Sequence, residues 1–571
     1  MWDNLEEVPF IPKPILVAST SNSELLSTFN LPFYSNVDTN TKFCATKNDG
    51  GIMAKSPLEI IMDDLKDLDP VGIKKCAMRL RELLQTDYEV PMRKKSLTDD
   101  EENAQDDRDT EASTQRIILK ILPEEEKHHP MGKEGYRIII AKHCTTLLAL
   151  TACGLFYSIQ TFRQILPPTW TDYLSYNDDD YLLIRNKFDH FAIPTGTIYD
   201  RPEFAFRSTM LDVVRHFFSL ETLKRHIRNM SMFKINHLHL HLSDDQGWRI
   251  QIKSWPNLTL IGSLSEVGGL HQEGQDPWFY SQEQYREIIE FAQDHYITII
   301  PEIEMPGHTN AALASYADLN TDGNAKQLYT GRNVGFSSLD TEKEITYQFI
   351  QDVIGEVASL TDGPYIHIGG DESMATPKEG YSDFIAKVQR IVEENGKIMI
   401  GWEEILSSNE LNPSTSVVQI WKTKSKNILK EKKKLNRSYI LSPADKVYMD
   451  MKYNASTPIG LTWAGFISVQ VSYDWKIKDI LRREGITKTD IVLGVEAPLW
   501  CETITTANDI DFMVFPRLLS LAEISWTAST NRSSWEDYKV RLGKHKKQLE
   551  ALRINYYPSP DIPWTNEIGK L

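Results

Sequence analysis

From about Ala205 onward, short runs rich in β-branched residues alternate with longer stretches of helical period, and few folds accept such a pattern. Candidate strands are 209–213, 236–242, 297–303, 365–368, 397–401, 417–421, 439–441 and 491–495. Helical periods lie between most of them, for example 220–232, 281–295, 342–360, 383–395 and 512–526. Eight β/α alternations over roughly 350 residues are what an α/β fold of the (β/α)8 TIM barrel type requires. In that fold the chemistry sits where strands end and the following loops begin, so functional residues should cluster just after these runs.

The preceding sequence is of another kind. Residues 1–195 mix strand-like stretches (15–18, RIILKIL, YRIIIA) with helical periods over 72–85 and in YSIQTFRQIL, which predicts a smaller α+β domain ahead of a catalytic barrel over 196–571. Within it, 92–113 is polar, acidic and nearly free of aliphatic residues; it cannot bury enough apolar surface to offset its ordering entropy and is expected to be a mobile surface insertion. The longest apolar run, 145–156, is too short to span a bilayer. With 63 basic against 80 acidic side chains and a net charge of -17, the chain's own field opposes phosphate backbones and anionic lipid, so neither nucleic acid nor a membrane is an expected partner.

Five cysteines, odd in number and not in CxxC spacing, fit neither a zinc site nor a dense disulfide framework and favour a reducing compartment. The N-terminus, MWDNLEEVPF, lacks the basic and apolar regions of a secretory leader, so the sequence as written reads as cytoplasmic. The sequons at Asn229, Asn257, Asn436, Asn454 and Asn531 would suit a secreted protein that had lost its leader, but a motif so short recurs by chance.

The strand ends carry Asp244-Asp245, the segment from Pro301 to His308, Gly369-Gly370-Asp371-Glu372, Trp402-Glu403-Glu404, Trp421, Tyr448-Met449-Asp450 and the segment from Glu496 to Glu502. One carboxylate after a strand is often only the N-cap of the next helix. Seven strand ends with polar or aromatic residues call for more than capping. Four tryptophans (Trp402, Trp421, Trp463, Trp500) also fall at or near these ends. Flat aromatic faces beside carboxylates suit a sugar ring, which offers C–H groups to a π-face and hydroxyls to acids and arginine. The rival reading is a metal-dependent hydrolase: His237, His239 and His241 alternate along one strand and so share a face, as a zinc site could use. The plainer alternative is a row of core histidines bonded to neighbouring carbonyls, and no tight HExxH or carboxylate cluster in the sequence completes a metal set.

YIHIGGDES (Tyr365 to Ser373) resembles the signature of family 20 glycoside hydrolases, the β-N-acetylhexosaminidases, which ends in adjacent Asp and Glu. MLDVVRHFF around Arg215, HLHLSDDQGWRI around Asp244, EIEMPGHTNA around His308, VYMDMKYNASTPIGLTWAGF from Val447 and GVEAPLWCETI around Trp500 agree in order, so the resemblance spans about 115–565. The acidic insertion lies outside the pattern.

The resemblance implies an exo-acting enzyme that removes terminal non-reducing GlcNAc, or GalNAc, from oligosaccharides or glycoconjugates without a metal or organic cofactor. It implies Glu372 as general acid and then base, and Asp371 as the carboxylate that holds the 2-acetamido group while its carbonyl oxygen attacks the anomeric carbon. Family 20 is among the retaining glycosidases in which the substrate supplies the nucleophile. By the same resemblance Tyr448 donates to the acetamido oxygen, and Trp402, Trp421 and Trp500 wall the methyl group and the sugar face. Arg215 and Glu502 grip ring hydroxyls with Asp450 assisting, Asp244 and His308 tune the catalytic pair through hydrogen bonds, and Trp463 lines the pocket or the leaving-group side. The alternatives are a relative on this scaffold that releases a disaccharide such as lacto-N-biose, and a silent sugar-binding protein.

Overall fold

The computed structural model describes residues 5–19, 43–44, 58–62, 70–82, 115–122, 130–141, 144–166, 192–272, 274–422, 437–484, 486 and 491–565. The acidic stretch 92–113 and the sequon at Asn436 lie outside the described residues. Contacts divide the chain into two units: Met1–Glu203 with Trp526–Ile554 and Ile562–Leu571, and Phe204–Ser525 with Asn555–Asp561. No described helix is long and apolar enough to cross a membrane.

The first unit holds a six-stranded mixed sheet, running across it Leu16–Ser19, Gly196–Asp200, Tyr136–Ile140, Cys144–Ala149, Gln115–Ile121 and Leu58–Met62. The apolar run 145–156 is divided between the strand Cys144–Ala149 and the start of the helix Ala152–Ile165, with Thr151 between them accepting the Gly154 N–H as N-cap. Asp200 is buried in this unit and is satisfied by the Tyr136 hydroxyl at 2.6 Å and the Trp526 indole N–H at 2.9 Å.

In the second unit eight parallel strands close into a barrel: β1 (Phe206–Asp212), β2 (His237–His241), β3 (Thr298–Glu302), β4 (Tyr365–His367), β5 (Ile398–Trp402), β6 (Ser416–Ile420), β7 (Ser438–Leu441) and β8 (Val492–Leu499). Closure comes from β8 pairing with β1 from Gly494↔Phe206 to Leu499↔Leu211. A Cβ at Gly494 would collide with the Phe206 carbonyl, so glycine is what lets the last strand approach the first. Helices return the chain between strands; Ser219 caps Leu220–Ser231, and Ser281 forms a capping box with Gln284 at the start of Gln282–Gln293. The helical period over 512–526 is two helices, Ala507–Val514 and Arg517–Trp526. Pro516 has no N–H to donate and disfavours helical backbone at the residue before it, and Phe515 is extended with ψ 136°.

Candidate active site

The barrel interior is layered. At its lower end Phe206, Ile300, Ile400, Val417 and Ile440 form an apolar plug. Above it the row on β2 turns the interior polar, because alternate residues of a strand face the same way. His237 still belongs to the plug, stacking on Phe206 at 4.3 Å. His239 Nδ1 lies 2.9 Å from Glu496 Oε1, with its Nε2 3.1 Å from Glu302 Oε2. His241 pairs with Glu302 through Nδ1 and reaches Asp244 Oδ2 at 2.8 Å through Nε2. The partners of His239 and His241 are therefore carboxylates, not the carbonyls of the plainer sequence reading, and Glu302 faces His241 because the β2–β3 register sets them opposite each other. Burial alone would favour neutral imidazoles, but Glu496 and Glu302 hold the His239 proton up to about 10, and Glu302 and Asp244 hold that of His241 up to about 9.

This buried column leads upward to the strand ends. Asp244 takes the Arg215 guanidinium at 2.7 Å and stands 3.3 Å from His308 Nδ1. His308 Nε2 in turn lies 3.6 Å from Glu372 Oε2 and 3.8 Å from Asp371 Oδ2. These last are ion-pair distances, and neither His308 nitrogen has a hydrogen-bond partner among the described residues. Burial opposes a charge on His308, yet the Asp244 carboxylate raises it well above the ordinary histidine value. Burial would likewise raise Asp244, but Arg215 and His308 hold it well below the usual carboxylate range.

Asp371 and Glu372 hang from a distorted turn after β4, where Gly369 and Gly370 have φ of 65° and 91° and Glu372 itself has φ of 43°. A side chain at Gly369 would collide with the Glu304 carboxylate, which is why the turn opens on glycine. Asp371 and Glu372 differ in surroundings: the Asp371 side chain is 12% exposed and that of Glu372 is 32% exposed. Burial, with Glu404 and Glu372 as like charges, pushes Asp371 up to about 7 against the pull of His308. Its Oδ1 is buried with no hydrogen-bond partner among the described residues.

Asp371, Glu372 and Arg215 line a cavity of about 440 Å³ together with Asp244, Glu304, His308, Trp421, Tyr448, Asp450, Trp463, Trp500 and Glu502. Trp421 and Tyr448 stand nearly parallel with ring centres 6.4 Å apart, and Trp463 closes the pair edge-on at 5.7 Å from Tyr448. Trp421 is anchored by its indole N–H on Glu404 Oε2 at 3.2 Å. The Arg215 guanidinium lies over the Trp500 ring at 4.9 Å, which brings the hydroxyl-binding candidates beside an aromatic face. Asp450 is fully buried, and both its oxygens lack partners among the described residues, as does Oε2 of Glu502. Burial raises both carboxyls, Asp450 further raised by Glu502 and Glu502 held back by Arg215. Such groups are satisfied when a ligand brings hydroxyl donors and acceptors to them.

Two buried arginines hold the loops that carry these side chains. Arg517 donates to the carbonyls of Met449 at 2.5 Å, Met451 at 2.7 Å and Ile467 at 3.2 Å, gripping the loop with Tyr448, Asp450 and Trp463. Arg249 donates to the carbonyls of Val214, Ser263, Ser265 and Trp278, fixing the backbone next to Arg215.

The barrel thus gathers all but one of the sequence-derived site residues around one cavity. Trp402 stands behind the wall: 1% exposed, it donates its indole N–H to Glu302 Oε1 at 3.0 Å and backs Trp500 at 5.9 Å. Glu304, Arg332, Val334 and Leu461 line the cavity without having been singled out. For Glu304 a signal existed: it follows Glu302 by two residues at a strand end, the spacing that keeps both on one side. The barrel also supplies the carboxylates that the sequence could not pair with histidines, since donor atoms of His241, Glu302 and Glu304, and of His308, Asp371 and Glu372, lie within 4.8 Å of one another. The same carboxylates favour the protonated form of His239, His241 and His308.

Residues 204–529 match the family model for the glycosyl hydrolase family 20 catalytic domain, and 67–200 match that for glycosyl hydrolase family 20, domain 2. A β-N-acetylhexosaminidase of Cellulomonas fimi is 35% identical over 436 residues, covering 76% of this chain and 82% of that protein. A β-hexosaminidase of Porphyromonas gingivalis is 34% identical over 456 residues, covering 76% of this chain and 56% of that protein. Among solved structures, the Streptomyces plicatus N-acetyl-β-hexosaminidase in complex with thio-NAglucal superimposes with a TM-score of 0.78 at 36% identity, covering 98% of each chain.

Proposed function

The chain belongs to glycosyl hydrolase family 20, and from that premise we propose that it is an exo-acting β-N-acetylhexosaminidase that lets the substrate's own acetamido group act as nucleophile. The observation that carries the mechanism is the pairing of a secluded Asp371 with a more open Glu372 at one cavity. The cavity of about 440 Å³ lies within the range of ligand pockets. The disaccharide-releasing alternative finds no support among the relatives.

Each group then has one task. Glu372 enters protonated and gives its proton to the glycosidic oxygen as the bond to the anomeric carbon breaks. The acetamido carbonyl oxygen forms the new bond to that carbon, closing an oxazolinium ring. Asp371 accepts the amide N–H and faces the positive charge that spreads over the ring, while Tyr448 donates its hydroxyl to the attacking oxygen. Burial raises the Tyr448 hydroxyl well above its ordinary value, so it stays a donor. Trp421 and Trp500 wall the methyl group and sugar face, with Trp402 holding Trp500 from behind. Arg215, Asp450 and Glu502 take the ring hydroxyls. Glu372, now a carboxylate, takes a proton from water, which opens the oxazolinium and leaves the sugar with retained configuration. An internal nucleophile held in place gains a large effective molarity with no enzyme-bound covalent intermediate.

The test is the 2-substituent. A chromogenic β-GlcNAc glycoside should be cleaved and the matching β-glucoside, with a plain 2-hydroxyl, should be inert. GlcNAc-thiazoline, which copies the cyclised intermediate, should bind far more tightly than GlcNAc. Cleavage of both glycosides at comparable rates would require an enzyme nucleophile instead, with Glu502 or Glu404 the first places to look.

A further inference from the structure

Two arginines line the cavity, and they are in opposite circumstances. Arg215 is buried and already paired with Asp212 at 3.2 Å and Asp244 at 2.7 Å. Arg332 is exposed at the mouth, and no hydrogen bond or ion pair joins it to any described residue. It stands in a cavity otherwise rich in carboxylates, on a chain of net charge -17. An unmatched guanidinium there is the local exception to a field that repels anions.

Its segment follows β3 and lies beside the acid. A Cβ at Gly335 would come within 3.1 Å of the Glu372 carbonyl oxygen and collide with the Met374 side chain. Val334, 38% exposed, and Trp463, 55% exposed, line the cavity as apolar surfaces open to solvent. Because Glu372 must reach the glycosidic oxygen, the departing group lies beside Glu372, along Val334 and within reach of Arg332. The sugar that is cut off lies on the other side of the scissile bond, against Asp371, Tyr448 and Asp450.

Building on the hexosaminidase reading, we propose that Arg332 selects substrates whose leaving-group sugar carries an anion, either a uronate carboxylate or a sulfate ester. Both present coplanar or clustered oxygens to the guanidinium fork, which donates two parallel hydrogen bonds to such a group. The bond being broken is unchanged, and the anion adds affinity on the side that leaves.

The experiment compares kcat/KM of wild type, R332A and R332E on GlcNAc β-linked to GlcNAc, to glucuronate and to a sulfated hexose, with a chromogenic GlcNAc glycoside alongside. An exposed charge pair of this kind gives a preference of about two- to five-fold. That preference for an anionic leaving group should be carried in KM, vanish in R332A and invert in R332E. It should also fade in wild type as salt is raised to about 0.5 M. Preference for only one of the anions names its source. Equal proportional loss on all three disaccharides in R332E, or no preference in wild type, overturns the proposal. Failure of the hexosaminidase reading itself shows separately, as no release of chromophore by wild type.

Discussion

Replacing Asp371 by asparagine keeps the side chain's size and removes its charge. In the resting site that charge is unwelcome, since burial and the neighbouring carboxylates push Asp371 up to about 7. It becomes useful only when a cation forms beside it. At about 4 Å and an effective dielectric of about 20, a carboxylate and an oxazolinium attract by ~4 kcal/mol. Removing one preorganised group of this type costs about 3 to 4 kcal/mol in barrier, or about two to three decades in rate. The assay is kcat on a chromogenic GlcNAc glycoside with the inhibition constant of GlcNAc-thiazoline measured in parallel; both should worsen together, because both place positive charge against the same carboxylate. Thermal unfolding gives the control. A group with a raised folded pKa withdraws stability as pH rises through it, so the asparagine variant should be at least as stable as wild type at pH 8. A variant that keeps kcat within about ten-fold, or loses kcat while binding thiazoline as before, would refute this account of Asp371.

Glu372→Gln should lower kcat on an unactivated oligosaccharide by about 10² to 10⁴-fold, and by less on a glycoside whose leaving group needs little protonation; equal losses on both would remove Glu372 from the role of acid. Extended dialysis against a strong chelator should leave activity intact, since in the proposed mechanism neither the acid nor the acetamido nucleophile uses a metal; activity lost and restored by zinc would show the reverse. His239 and His241 are held up to about 10 and about 9 from an ordinary 6.5, so their contribution to stability is complete below the ordinary value and lost as pH rises through the raised ones. Across that alkaline window each should make stability fall by about 1.4 kcal/mol per pH unit, seen by urea unfolding as proton release, and a flat profile there would mean the pair is neutral in the fold.

The barrel was legible because short runs rich in β-branched and aliphatic residues recur between longer stretches of helical period. The β2 expectation of 236–242 and the observed His237–His241 differ only at the frayed ends. Reading failed where one residue overrode the period: Phe512 to Trp526 keeps its apolar spacing straight through Pro516, but the backbone cannot. In the site, residues that sit in recognisable blocks were legible and their partners were not. His239 meets Glu496, 257 positions away, and only barrel closure brings them together. Arg332 stands in a long connection after β3 where no periodicity marks what faces the cavity. Trp402 was legible as a strand-end aromatic, but whether such a ring faces the cavity or backs another ring depends on Glu302, which captures its indole N–H.

The backbone at Glu372 has a consequence for how this protein could change. Glu372 occupies the left-handed region at φ of 43°, where glycine and asparagine are at ease and a long side chain costs about 1 to 3 kcal/mol. His308, at φ of 53°, shares the left-handed region but is of a residue type that adopts it more readily. On the proposed mechanism, activity requires a glutamate at 372 against the preference of the local backbone. In a lineage released from catalysis, drift at position 372 would run toward glycine or asparagine and be rewarded with a firmer fold, so the loss of this chemistry would be easy to enter and costly to reverse.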